Sequence, residues 1–189
     1  MSQIKLKHSG GNGVIIAAPS SNPSADRTIT LPDLTTNGTL VTDVSPASGT
    51  VIQAKCTPTS DAGQVSSTSD SYADVTGLDV VITPKFSNST MILVTTFHIT
   101  TAYQNRNASV RLTFNHSGIS QSAVDSNQDG YSINSEAGSF DGYGAMCYSH
   151  SPNTTNEITY RFQFRNVGAN SSVYFNRKPS RIIAYEVAV

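Results

Sequence analysis

Charged residues are scarce in this chain. They make up 13% of its 189 residues, against 37% hydrophobic, and the formal net charge is -1. A chain so balanced has no basic footprint for nucleic acid and none for insertion into or attraction to an anionic membrane. Tryptophan is absent and cysteine occurs only at Cys56 and Cys147. Two thiols so far apart in sequence make neither a disulfide framework nor a zinc site. They read as buried and reduced, with one disulfide as the alternative. No run of eighteen apolar residues occurs, which excludes a membrane-spanning helix. Nowhere do Ala, Glu, Lys and Leu recur at helical spacing. The composition is instead rich in Ser, Thr, Asn and Gly, residues that suit strands and turns better than helices.

The chain has two textures. Residues 1–49 hold short apolar bursts, "GVIIAAP", "RTITLP" and "GTLVT", punctuated by Gly, Asn, Pro and Asp. Each burst is long enough for one short strand. Three such strands cannot bury enough surface to be stable alone. The segment is therefore expected to be ordered by other chains, as a short intertwined β-module. Residues 50–189 read as longer strands forming a separate head. "TMILVTTFHIT" places Met91, Leu93, Phe97 and Ile99 on one face. "NASVRLTFN" alternates Ala108, Val110, Leu112 and Phe114 inward against Ser109, Arg111 and Thr113 outward. "EITYRFQFR" repeats this with Ile158, Tyr160, Phe162 and Phe164 against Thr159, Arg161, Gln163 and Arg165. Further strands are "GLDVVITP", "AMCYSH", "SVYFN" and "RIIAYEVAV". Period-two alternation without crossover helices predicts an all-β fold, an antiparallel β-sandwich of jelly-roll type.

Three pieces of the N-terminal segment, "SGGNGV", "APSSNPSADRTITLP" and "NGTLVT", resemble the N-terminal module of bacteriophage tail-fibre and related virion proteins, notably those of phages infecting cyanobacteria. The frame from "GTVIQAKCTPTSDA" to "RIIAYEVAV" is similar to the small β-sandwich heads that follow such modules. The match covers about the first 45 residues and only the two ends of the head. It implies a virion protein assembled in the host cytoplasm, a homo-oligomer and usually a trimer. Its residues 1–49 would hold other virion proteins, and its head would bind a host-surface glycan or protein. A purely structural virion role is the alternative, hinted at by apolar residues on outward strand faces such as Val81 and Ile182. The matched residues carry no catalytic motif.

The residues themselves give no enzyme pattern either. His8, His98, His116 and His150 show no metal-ligand spacing and read as scattered surface or interface residues. The many serines lack a nucleophile elbow. Loop aromatics and carboxylates suggest a receptor-facing rim: Tyr103, Tyr131, Asp141 and Tyr143. Arg111, Arg161 and Arg165 project outward and suit a polar subunit interface. The stretch "DSNQDGYSINSE" fits a calcium-loop pattern, with Asp125, Asn127, Asp129 and Glu136 as oxygen ligands and Gly130 at the turn. Its flanks are not helical, so an EF-hand is excluded. A structural calcium in an irregular loop and an ion-free Asp/Asn/Gly turn both remain, and no other cofactor is expected.

Overall fold

The computed structural model describes residues 3–7, 9–11, 13–17, 46–57, 64–101, 106–125, 131–135, 138–167, 172–175 and 179–189. The chain divides into two units, Met1–Leu40 and Val41–Val189. In the first, β1 (Gln3–Lys7) and β2 (Gly13–Ala17) form an antiparallel hairpin. Gly11 sits in its turn at φ 93°, a conformation that favours glycine. The strand at β1 was not apparent from the sequence. The expected strands in "RTITLP" and "GTLVT" lie outside the described residues.

The second unit is an all-β sandwich of two antiparallel sheets. Among the described residues it contains no helix. One sheet contains β3 (Val51–Cys56), β13 (Arg181–Val187), β6 (Thr90–Thr101), β12 (Val173–Phe175), β4 (Val65–Ser67) and β10 (Phe140–His150). Its spine is β6. One edge of β6 pairs β13 along Thr90–Thr96 and then β12 along Ile99–Thr101. The other edge pairs β10 from Met91 to Thr101 without a register shift. The second sheet contains β5 (Ala73–Ile82), β11 (Ile158–Val167), β7 (Arg106–His116), β8 (Ile119–Ala123) and β9 (Tyr131–Ser135). Here β7 plays the same part, with β11 on one edge and β8 and β9 sharing the other. The β5–β11 register shifts between Arg161 and Gln163, opposite a segment of β5 that includes Gly77 at φ 75°. A glycine with positive φ accommodates such a bulge.

The core lies where the alternation put it. Met91, Leu93, Phe97 and Ile99 from β6 are buried, as are Ala108, Val110 and Leu112 from β7 and Ile158, Tyr160, Phe162 and Phe164 from β11. Rings join the two sheets: Phe97 packs 5.1 Å from Phe162, and Phe175 packs 5.2 Å from Phe162 and 5.5 Å from Phe164. Separations and tilts in this range suit the quadrupoles of aromatic rings.

One buried charge needs its own account. Glu186 is fully buried. Its Oε1 accepts from the backbone N–H of Lys85 (2.8 Å) and of Phe86 (3.1 Å) and from Ser89 Oγ (2.7 Å). Its Oε2 accepts from Gln53 Nε2 at 2.6 Å. Four donors compensate a carboxylate that burial would otherwise penalise heavily. They also tie the turn between β5 and β6 to β13 and β3.

Candidate functional site

β10 alternates strictly, with Asp141, Tyr143, Ala145, Cys147 and Ser149 exposed and the residues between them partly buried. The glycines explain how this strand lies so close to the core. A Cβ on Gly144 would meet Phe97 Cζ at 2.3 Å, and one on Gly142 would meet Phe140 Cζ at 2.8 Å. The "GYG" tract therefore leaves room for core rings on its inner side while Tyr143 points away.

Cross-strand partners share a face, so the register gives the outward surface of this sheet row by row. At one end, Tyr174, Thr100 and Asp141 form a row, and His98 pairs with Tyr143 in the next. Thr100 Oγ1 donates to Asp141 Oδ1 at 2.6 Å, and His98 Nε2 lies 2.9 Å from the same oxygen. The His98 ring meets Tyr143 edge-on at 5.0 Å. His98 is thus a buried residue holding an exposed carboxylate, and not the surface histidine that its mid-strand position suggested. The Asp141 side chain remains 52% exposed and Tyr143 58% exposed. Arg181, Thr96 and Ala145 follow. Beyond them the face becomes apolar: Cys56, Ile183, Val94 and Cys147 form one row, and Ala54, Tyr185, Ile92 and Ser149 the next.

Both cysteines are exposed and free, contrary to the expectation of burial. They stand three strand spacings apart, roughly 14 Å, which is too far for a disulfide within the chain. Ile182, read from sequence as outward, is buried, and its neighbour Ile183 takes the outward place. Val81 is 42% exposed, as read.

On the other sheet's outward face, several polar side chains contact one another. Arg111 Cζ lies 3.9 Å from the centre of the Tyr72 ring and Arg165 Cζ 4.7 Å from it. Arg111 Nε donates to Gln163 Oε1 at 2.8 Å. Asp74 Oδ1 accepts from Gln163 Nε2 at 2.7 Å and Gln121 Nε2 at 2.9 Å, and Asp74 Oδ2 stands 3.8 Å from Arg161. Tyr72 Oη and Ser109 Oγ are 2.7 Å apart. Ser109, Thr113 and Gln163, expected on a wetter face, are buried. The structure thus brings Arg111, Arg161 and Arg165 together, around Tyr72 and Asp74 of the same chain.

The remaining candidates fall elsewhere. Tyr131 is on β9 in the second sheet, 44% exposed, with its ring 5.8 Å from Phe97 at the sandwich rim. Tyr103, Asn127, Asp129, Gly130 and Glu136 lie outside the described residues. Asp125 is described, and its charge, after burial, helps push the Tyr148 phenol above its ordinary value. Tyr131–Ser135 is a paired strand, where the calcium pattern requires the second half of a tight loop. Among the described residues, no group of three His, Cys, Asp or Glu side chains is placed to hold a metal.

His150, on the inner side of β10, has its Nδ1 2.8 Å from Tyr160 Oη and packs tilted against Phe114 with ring centres 4.2 Å apart. Burial, aided by His116, pushes the imidazole down to about 4. Burial raises the Tyr160 phenol, so at neutral pH a protonated phenol and a neutral ring share this hydrogen bond.

No protein-family model matches the chain, and no curated protein does. Among solved structures it is similar to one of infectious bursal disease virus, Gt strain, at 13% identity and TM-score 0.42, covering 95% of this chain and 48% of that one. It is also similar to a mutant VP2 protein of infectious bursal disease virus from derived T=1 particles, at 13% identity and TM-score 0.40, covering 84% of this chain and 41% of that one. The chain thus spans about half the length of these viral proteins. Similarity at this level carries no inference about activity.

Proposed function

We propose that this chain is a fibre-type virion protein that binds and does not catalyse. It works as a homo-oligomer, with residues 1–49 contacting other virion proteins and the sandwich head contacting a glycan on the host surface. The resemblance of its first 45 or so residues to phage fibre modules supports the virion setting and a trimer. The observation that carries the binding reading is the pair Asp141 and Tyr143. A carboxylate held by Thr100 and His98 beside an exposed ring offers a saccharide an oriented acceptor for its hydroxyls and an apolar face to stack on. Copies presented together multiply a weak single contact by avidity.

The test is binding of the full chain to an array of bacterial surface polysaccharides. Tyr143→Ala and Asp141→Asn should each reduce the retained signal at least tenfold without lowering the melting temperature. Equal binding by both variants removes the reading. The apolar rows on the same sheet favour a second reading, in which the sandwich serves assembly alone.

A further inference from the structure

The strand β6 reads "TMILVTTFHITT", with Met91, Ile92, Leu93 and Val94 apolar on both faces. Strands of that texture are normally covered on both sides. Met91 and Leu93 are covered by the core, yet Ile92 and Val94 stay partly exposed in the single chain. Their outward neighbours across the sheet, Ile183 and Tyr185, are partly exposed too.

We propose that this face is covered by a second copy of the same chain, packed sheet against sheet. Three observations select that occupant. First, the central row is self-complementary. It runs Cys56, Ile183, Val94, Cys147, and it presents the same chemistry read from either end. A two-fold axis along the strands, between β13 and β6, sets Ile183 of one copy on Val94 of the other. It sets each Cys56 near the other copy's Cys147. This is the self-matching required of an isologous interface. Second, neither apolar row contains a charged residue, so no charge is desolvated. The nearest outward charge, Arg181, lies in the next row and falls at the rim, which is the usual anatomy of an interface. Third, the two rows form a continuous strip. Four strands at ~4.8 Å spacing and about four residues at ~3.3 Å rise give a flat core of roughly 250 Å². That suits the apolar centre of an interface whose remaining area, toward the ~800 Å² per partner of a stable complex, comes from the flanking rows. The inference is independent of the glycan reading, because it uses the other end of the face, and it joins heads of different trimers, since a two-fold contact cannot lie within one three-fold ring.

Cross-linking of the native cysteines tests it. Full-length protein of natural isotopic abundance is mixed with heavy-isotope-labelled protein, equilibrated and treated with a short bismaleimide. Peptides joining Cys56 of one isotope to Cys147 of the other are expected. Val94→Asp and Ile183→Asp should lower their yield at least tenfold while keeping the circular dichroism of the sandwich. Should an aspartate unfold the sheet, Cys147→Arg, at an exposed position, is followed by sedimentation velocity and should reduce the assembled mass. The proposal is overturned by a monomeric wild-type protein. It is overturned equally by assembly through other surfaces without the Cys56–Cys147 link, by a link the aspartates leave intact, or by an unchanged mass for Cys147→Arg. Loss of glycan binding with the link intact would strike the proposed function alone.

Discussion

The two outward faces of the sandwich are built on opposite plans. On the β5–β11–β7 sheet, Arg111, Gln163, Asp74 and Tyr72 bond or stack with one another, and several polar side chains are buried in the process. On the β3–β13–β6–β10 sheet, the outward rows around Val94 and Ile183 are uncharged, largely apolar and at least partly exposed. A polar face can complete itself, because hydrogen-bonding side chains can satisfy one another locally. An apolar face has no such means, and only another surface removes it from water. The first plan makes a finished wall and the second a surface suited to contact.

The comparison can be broken most forcefully from inside the apolar-faced sheet, which keeps its carboxylate in the interior. Glu186→Ala leaves four donors without their acceptor. It should cost about 3–5 kcal/mol and lower the melting temperature by roughly 10 °C. Calorimetry reads this directly, and a loss below about 1 kcal/mol would mean that the turn is held by something else.

The polar face should yield less. Asp74→Ala removes the acceptor shared by Gln163 and Gln121 and should cost about 1–2 kcal/mol. A double-mutant cycle with Gln163→Ala should show coupling above about 0.5 kcal/mol. Assembled mass should not change if assembly runs through the Val94–Ile183 face. A changed mass would move the interface to the arginine side.

A third, similar or smaller effect lies between the walls, at His150. Its imidazole titrates near 6.5 when unfolded and at about 4 when folded. Between these values the unfolded chain binds the extra proton, so stability falls as pH drops from about 6.5 toward about 4 and is unaffected above that window. Allowing for the ring's partial exposure, the loss should be roughly 1–2 kcal/mol. Denaturant titrations at several pH values should show it, and His150→Phe should flatten the curve.

Calcium should have the smallest effect. Melting with saturating calcium and with chelator is expected to coincide, because Tyr131–Ser135 is strand. A clear rise with calcium would restore the ion site around Asp125.

The sandwich was legible because alternation is local. "NASVRLTFN" and "EITYRFQFR" announce by themselves which side chains face the core. What covers the other side is not local. Ser109 and Gln163 looked solvated, and only the arrival of Tyr72 and Asp74 from another part of the chain encloses them. The same holds for His98, whose burial depends on Tyr143 and Asp141 of a strand some forty residues away. Asp141 and Tyr143 could be picked out as a pair because they lie two apart on one strand. Tyr131 has a loop-like sequence context, yet its strand register turns it toward Phe97. The apolar rows are not legible in sequence, because Ile92 and Val94 adjoin the stronger face on Met91 and Leu93 and only strand pairing sets Ile183 and Tyr185 beside them.

β10 ties these threads together through its glycines. Where Gly144 meets Phe97, the strand has no latitude, since even one methyl group would displace a core ring. One position along, Tyr143 and Ala145 are exposed and touch none of the core rings, although Tyr143 meets the edge of His98. The strand is written in two interleaved texts, one addressed to the fold and one to the outside. Substitutions in the second leave the close approach of Gly144 to Phe97 untouched, so the outer chemistry of the strand can vary without displacing a core ring.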